Sequence, residues 1–345
     1  IIAENFGANA SYVEGLLLRF RANRRSVDDS WQEYFDELLT GKNGSAAAEP
    51  FPAVTAAPAA EKKPAAPAQA AVSDEHAKAL IGPAKKIVEN MEASLSVPTA
   101  TSLRTIPVKL LEENRTIINS YLKASGRGKA SFTHIIGWAI VLAAKAYPRM
   151  NHGFGLANGS PARVENENIN LGIAIDVEKK DGSRSLLVPN IKNCESMNFA
   201  KFFAAYNEQV AKARDGKLEI ADFQGTTISL TNPGTIGTVA SNPRLMAGQS
   251  AIIATGAIEY PAEYQAMTAA SLSSLGISKI VTLTSTYDHR VIQGAESGLF
   301  LARIHEYLIG QHSFYDQIFR DFEISFPPLR WAQDFNPSLL GGDRF

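Results

Sequence analysis

One short stretch of the chain places three reactive side chains at the end of an apolar run. Asp288, His289 and Arg290 follow the strand-like residues 279–287, and Gly294 comes five positions after the histidine. The ordinary pKa of a histidine suits general acid–base catalysis near neutral pH. A lone histidine in a turn is more often structural, so this stretch by itself predicts a candidate base and leaves the reaction open.

Several other motifs for catalysis or ligand binding are excluded by their spacing. GRGKAS (126–131) lacks the first glycine and the final Ser or Thr of a phosphate-binding loop, and NPGTIG (232–237) lacks the third glycine of a dinucleotide fingerprint. No GxSxG elbow of a serine hydrolase occurs. The six histidines and the single cysteine show no metal-ligand spacing, so no metal site is predicted.

The segments around these residues indicate an α/β or α+β domain with a mixed sheet. A buried helix is predicted to be capped by Thr133 and ended by Pro148, and Gly216 is predicted to cap a later helix. The remaining predicted elements are helices over 85–95, 108–125 and 294–308 and strands over 169–177, 185–191, 226–232, 250–256 and 279–288.

The first 75 residues differ from this domain in composition. Two short helices are predicted within residues 1–40, and one face of the second helix is apolar. Residues 41–75 are rich in Ala and Pro and have few large apolar side chains, so they cannot bury enough surface to offset their ordering entropy. They are predicted to be a disordered linker. The residues of the apolar helix face are Trp31, Tyr34, Phe35, Leu38 and Leu39.

Overall composition argues against two classes of partner. Lys and Arg together number 34 and Asp and Glu 35, so the chain has no net basic charge with which to bind nucleic acid. No run of about 18 apolar residues occurs, so no membrane span is predicted. The single cysteine, Cys194, excludes an intrachain disulfide and fits a reducing compartment, and we expect a cytoplasmic location.

Four stretches resemble the dihydrolipoamide acyltransferases, the core subunits of 2-oxoacid dehydrogenase complexes, and occur in the family's order. DHRVIQG resembles the HRxxDG signature, and SFTHIIGWAIVLAAKAYPRMN resembles a buried helix ending in Pro-x-x-Asn. INLGIAIDVEKKDGSRSLLVPNIKN resembles the family's long strand and return, and GTTISLTNPGTIGT its Thr-Ile-(Ser/Thr) segment. This resemblance spans residues 85–310 and implies a chloramphenicol-acetyltransferase-like two-layer sandwich with a mixed sheet.

The resemblance implies acyl transfer between the thiols of dihydrolipoamide and coenzyme A. His289 would accept the thiol proton, and the hydroxyl of Thr231 would stabilise the negative charge that develops on the thioester oxygen. Ser229 is the alternative donor, since side chains two residues apart lie on the same face of a strand. Asn232, which follows Thr231, is expected to support this segment.

The loop around the candidate base both follows and departs from the family pattern. Asp288 and Arg290 are expected to hold the loop, and Gly294 is expected to let the chain turn closely behind the base. Gln293 stands where the family motif has Asp. Glutamine keeps the capacity to hydrogen-bond and loses the charge, so this departure bears on the reaction rate.

The two ends of the chain resemble a different subunit. GANASYVEGLLLRF and SVDDSWQEYF are similar to the N-terminus of 2-oxoglutarate decarboxylase subunits, and PPLRWAQDFNPSLL is similar to the crossover into their body. Actinobacterial fused 2-oxoglutarate dehydrogenases combine these parts. The resemblance implies a helical segment (1–40), a linker (41–75), an acyltransferase catalytic domain (76–325) and the start of a crossover (326–345).

The same resemblance implies partners and cofactors. Coenzyme A would be a substrate, and the acyl group is expected to be succinyl. No lipoyl domain is recognised, so lipoamide would arrive on the lipoyl-bearing acyltransferase of the pyruvate complex, with dihydrolipoamide dehydrogenase acting indirectly. We expect a homotrimer with interfacial active sites. Thiamine diphosphate and Mg would belong to a decarboxylase part of a longer parent, since no GDG…N motif occurs here.

Two alternatives stay open from the sequence. The domain could be a non-catalytic trimeric scaffold of the same fused complex, with Gln293 as the sign of lost activity. It could also be a free-standing acyltransferase for another small acceptor, as the chloramphenicol acetyltransferases are. The decarboxylase-like N-terminal segment argues against the second alternative.

Overall fold

The computed structural model describes residues 17–27, 29–40, 83–178 and 184–331. The predicted linker 41–75 therefore lies outside the described residues. The chain divides into two compact units between residues 77 and 78. Within the described ranges, no helix has both the length and the apolar character needed to cross a membrane.

The first unit contains a helical segment (17–22) and helix α1 (Asp29–Thr40). Phe35 of α1 is fully buried and lies with its ring centroid 5.4 Å from that of Phe20 and 5.4 Å from that of Trp31. The predicted apolar face is therefore found at Trp31 and Phe35. Its last predicted member, Leu39, is 48% exposed.

The second unit is built on a six-stranded sheet with the strand order β1-β10-β9-β8-β4-β7. The neighbours β4, β8 and β9 run parallel, whereas β1, β10 and β7 pair antiparallel with their neighbours, so the sheet is mixed as predicted. Two further pairs, β2 with β3 and β5 with β6, form hairpins. The strands are β1 (Thr99–Pro107), β2 (Gly153–Ala157), β3 (Ser160–Val164), β4 (Leu171–Ile173), β5 (Ile175–Glu178), β6 (Arg184–Leu187), β7 (Asn190–Ile191), β8 (Ile228–Thr231), β9 (Ala251–Thr255) and β10 (Ile280–Asp288).

Helices pack on this sheet and bury its apolar side chains. The most buried of the described helices, α4 (Phe132–Ala146), approaches its neighbours closely at Gly137, where an added Cβ would lie 3.3 Å from side chains of both Leu230 and Phe202. A glycine there lets the helix sit near β8 and α5. The helices are α2 (Pro83–Ser94), α3 (Lys109–Ala124), α4 (Phe132–Ala146), α5 (Phe199–Asp215), α6 (Ile220–Phe223), α7 (Ala269–Ser274), α8 (Gly294–Leu308) and α9 (Phe314–Asp321).

One predicted strand is interrupted. The predicted run 169–177 divides into β4 and β5 at Ala174, and its return divides into β6 and β7. The pairs Gly172 with Asn190 and Ile175 with Leu187 keep one antiparallel register across the break. Pro189 lies opposite Ile173, next to the break; its carbonyl accepts from the N–H of Ile173 at 2.8 Å, but proline has no N–H to donate in return. The hydrogen-bonded ladder therefore stops there while the two chain segments continue side by side.

One predicted helix boundary is wrong by two residues. Ser131, and not Thr133, caps α4, and its side chain accepts from the backbone N–H of His134. The ring of His134 in turn accepts from the backbone N–H of Ser131, at 3.0 Å. A serine followed three residues later by an acceptor side chain makes this reciprocal arrangement possible.

Candidate functional site

The candidate base lies at the end of a long, well-paired strand. β10 pairs with β1 over nine residues, and the backbone N–H of His289 donates to the carbonyl of Pro98 at 2.9 Å. The ring of His289 is exposed and meets the ring of Tyr287 edge to face, with centroids 5.6 Å apart. Within the described residues its ring nitrogens make no hydrogen bond. The backbone is thus fixed while the imidazole stays available.

The residues flanking His289 form one ion pair. The guanidinium of Arg290 donates to the carboxylate of Asp288 through Nε to Oδ1 at 2.9 Å and through Nη2 to Oδ2 at 2.6 Å. The Asp288 side chain is buried, and its hydrogen bond raises the pKa of Arg290. The guanidinium carbon also lies 3.7 Å from the ring centroid of Phe154 on the β2–β3 hairpin. These contacts fix the turn that carries the histidine.

The segment after the turn begins helix α8. Gln293 is exposed, and its backbone N–H donates to Oε2 of Glu296 at 2.8 Å. The other carboxylate oxygen of Glu296 accepts from Arg149 at 2.8 Å. Burial raises the pKa of Glu296, but these two donors outweigh it, and the net shift is downward. An added Cβ at Gly294 would make only an ordinary 3.6 Å contact with the hydroxyl of Tyr287, so the expected close turn is not found.

The two hydroxyl candidates on β8 differ in availability. The side chain of Ser229 is buried, and its hydroxyl donates to Gln249 at 2.7 Å. Thr231 is half-buried at the end of the strand, and within the described residues its hydroxyl makes no hydrogen bond. Asn232 donates to the hydroxyl of Thr133 at 2.8 Å, which ties the end of β8 to the start of α4. Thr231 is therefore the freer donor.

The structure groups the predicted residues into two places. Thr231 lies opposite Ala254, which lies opposite Thr284, and His289 is five residues farther along β10. With about 4.8 Å between strands and about 3.3 Å per residue, this register separates His289 from Thr231 of the same chain by roughly 19 Å. One chain alone does not bring the candidate base to the candidate donor.

A second histidine with close polar partners lies in the same unit. His134 is buried; its Nδ1 lies 2.6 Å from the hydroxyl of Ser131, and its Nε2 lies 3.2 Å from Oδ1 of Asn207. Burial lowers its pKa to about 4, although the bond to Asn207 works in the opposite direction. His134 is not among the site residues predicted from the sequence, although its Ser-x-x-His spacing could have indicated the contact with Ser131. Among the described residues, no cluster of His, Cys, Asp and Glu could hold a metal ion.

Two family models match the chain. The 2-oxoacid dehydrogenases acyltransferase (catalytic domain) model matches residues 72–313, and the 2-oxoglutarate dehydrogenase N-terminus model matches residues 5–42. A multifunctional 2-oxoglutarate metabolism enzyme of Mycolicibacterium vanbaalenii is 48% identical over 377 aligned positions. That alignment takes in 97% of this chain and 30% of the relative, so the chain spans about a third of its relative's length.

Two solved structures share the fold. One is the dihydrolipoamide acetyltransferase of Azotobacter vinelandii, which was solved to examine the roles of a serine, a histidine and an asparagine in its mechanism. It gives a TM-score of 0.56 at 24% identity, and the match covers 67% of this chain and 89% of that one. The cubic core of a pyruvate dehydrogenase multienzyme complex gives 0.56 at 25% identity over the same shares, 67% and 89%. The acyltransferase fold expected from the sequence is confirmed.

Proposed function

Because the chain belongs to the 2-oxoacid dehydrogenase acyltransferase (catalytic domain) family, we propose that it moves a succinyl group between coenzyme A and dihydrolipoamide. The 2-oxoglutarate dehydrogenase N-terminus over residues 5–42 and the name of the Mycolicibacterium relative support the 2-oxoglutarate branch, and with it succinyl. The dihydrolipoamide is carried by a lipoyl domain of a partner protein.

The chemistry follows from the two kinds of side chain described above. A thiol with an ordinary pKa near 8.5 is mostly protonated at neutral pH, so a base that removes its proton speeds its attack. The imidazole of His289 takes the proton of one thiol, and that sulfur bonds to the acyl carbon of the thioester. The bond from this carbon to the other sulfur then breaks, and the departing thiolate takes the proton back from the imidazolium.

The hydroxyl of Thr231 stabilises the intermediate of this transfer. Negative charge develops on the thioester oxygen when sulfur attacks, and a positioned hydroxyl donates to it. The observation that carries the proposal is that both side chains are free to contact a substrate. His289 has an exposed ring on a fixed backbone, and the hydroxyl of Thr231 has no hydrogen-bond partner among the described residues. Asp288 and Arg290 hold the histidine turn.

A complete site needs a second copy of the chain. The separation of roughly 19 Å between His289 and Thr231 is too large for both to contact one thioester. A heterologous contact between copies joins the histidine end of one subunit to the threonine end of the next, and a closed ring satisfies every such contact. The family resemblance implies that this ring is a homotrimer, with one active site at each interface.

The test measures acyl transfer from succinyl-CoA to dihydrolipoamide by the purified chain. His289→Ala should lower kcat/KM at least about 100-fold, as expected for loss of a general base. His312→Asn is the matched control, since His312 is an exposed histidine at φ 57°, a conformation that asparagine tolerates. Unchanged activity in His289→Ala would contradict the proposed base.

Mixing two inactive variants tests the shared site. Thr231→Val should also lower the rate about 100-fold. When His289→Ala and Thr231→Val chains are mixed into hybrid rings, about a quarter of the interfaces combine an intact histidine with an intact threonine, and activity should return in proportion. No recovery, in hybrids shown to have formed, would contradict a site shared by His289 of one copy and Thr231 of the next.

Gln293 favours one competing function, a non-catalytic assembly domain. That alternative predicts no transfer by the wild-type chain above background, with the oligomer intact and the thiol substrate reduced. It also predicts that His289→Ala leaves the function of the whole complex unchanged.

A further inference from the structure

A cavity of about 740 Å³ opens beside the free hydroxyl of Thr231. Its walls come from β8 with the neighbouring strands, from the segment 243–249, from the end of α6 and from helix α2. The segment is held in place because Leu245 is buried and Oε1 of Gln249 accepts a hydrogen bond from the hydroxyl of Ser229. Most of the lining is apolar, and it includes Met91, Leu186, Phe223, Leu230 and Ile252.

One charged side chain lies in this apolar lining. Among the described residues that line the cavity, Arg244 alone carries a charge. Arg244 is exposed, and it makes no hydrogen bond or ion pair within the described part of the chain. Two other arginines of this unit already form ion pairs, Arg290 with Asp288 and Arg149 with Glu296. Within the described residues, the guanidinium of Arg244 is therefore an unpaired cation that lines the same cavity as the hydroxyl of Thr231.

The lining matches the shape and charge of a dicarboxylic acyl group. Two methylene groups of a succinyl thioester prefer the apolar walls, since burying them removes apolar surface from water. Its free carboxylate prefers a planar guanidinium, which can donate two parallel hydrogen bonds. An acetyl group has no carboxylate with which to use this arginine.

We propose that Arg244 is a specificity-determining residue that pairs with the free carboxylate of the acyl group. The proposal rests on the proposed acyl transfer and on Thr231 as its hydroxyl donor. It explains how one cavity could prefer a four-carbon dicarboxylic acyl group over a two-carbon one. The phosphates of coenzyme A offer the same anionic chemistry, so the experiment must separate the two sources.

The experiment compares three thioesters as donors to dihydrolipoamide: succinyl-CoA, acetyl-CoA, and succinamoyl-CoA, in which a neutral amide replaces the carboxylate. Arg244→Met should lower kcat/KM for succinyl-CoA about 10- to 100-fold, as expected for a charge-assisted hydrogen bond. The values for acetyl-CoA and succinamoyl-CoA should change less than about threefold. Arg320→Met, at an exposed arginine of α9, is the matched control and should leave all three unchanged.

Each outcome decides between the sources. An equal loss with all three donors would assign Arg244 to a coenzyme A phosphate and overturn the proposal. Succinyl transfer that Arg244→Met leaves unchanged would also overturn it, while the proposed function stands. Absence of transfer from any thioester by the wild-type chain would overturn the proposed function and this assignment together. Arg244→Lys, which keeps the charge, should recover part of the succinyl preference.

Discussion

His134 and His289 are chemically identical side chains in opposite environments. His134 is buried against Phe203 and Tyr206, and both ring nitrogens have partners. His289 is exposed, and its ring nitrogens have no hydrogen-bond partner in the described ranges. In both cases the backbone is fixed, by a helix start for the first and by a strand end for the second. Residue type therefore does not distinguish a structural histidine from a candidate base; the partners of the ring do.

The pKa of His134 explains why it is unsuited to the base role. Burial lowers that pKa to about 4, so the ring is neutral at pH 7 and binds a proton too weakly to draw one from a thiol. The neutral ring of His134 supplies one acceptor and one donor at the start of α4. The unprotonated Nδ1 accepts from Ser131, and the protonated Nε2 donates to Asn207.

The largest expected effect that tests this comparison is the change in folding stability when His134 is replaced. His134→Ala removes both ring hydrogen bonds, including the one that the backbone N–H of Ser131 donates, and opens a cavity beside Phe203. We expect a loss of about 4 kcal/mol in the free energy of unfolding, from cavity formation and the lost hydrogen bonds together. Urea unfolding measures it, with His312→Asn as the exposed control. A loss below about 1 kcal/mol would show that His134 is not structural.

A smaller effect should appear in acid. The pKa of His134 is about 4 in the folded chain against 6.5 ordinarily, so between these values the unfolded chain binds more protons. The stability that the neutral ring contributes is fully present above pH 6.5 and is lost as pH falls through 4, for a total of about 3 kcal/mol. The gap in unfolding free energy between wild type and His134→Ala should shrink by that amount from pH 7 to pH 4. A constant gap would contradict the buried neutral state.

Much of the fold was readable from periodicity. The predicted helix 294–308 matches α8, and the predicted strand 279–288 overlaps β10 except at its first residue. β1 escapes such prediction because its sequence, TATSLRTIP, is largely polar and exposed, and it becomes a strand only by pairing along β10. The break at Ala174 escapes too, since it follows from the pairing of the preceding residue, Ile173, with Pro189, which only the strand register shows.

The site was less accessible to sequence reasoning than the fold. The motif locates His289, and the resemblance locates Thr231, but only the sheet register shows that they lie far apart in one chain. The choice between Ser229 and Thr231 also needed coordinates, because both lie on the same strand face and the hydrogen bond to Gln249 separates them. Arg244 lies outside every motif, and the cavity alone draws attention to it.

The smallest expected effect concerns Gln293, the position after His289 where the family motif has a carboxylate. Gln293→Asp restores that charge four residues after the candidate base. The nearby cation Arg290 is already paired with Asp288 through two hydrogen bonds, so a further carboxylate gains little. Aspartate also suits a helix start, with a stabilisation below about 1 kcal/mol. We expect kcat/KM for succinyl transfer to change less than about threefold. A gain in kcat/KM above tenfold would show that the exposed His289 at the end of β10 does not give the full rate by itself, and that the missing carboxylate charge limits it.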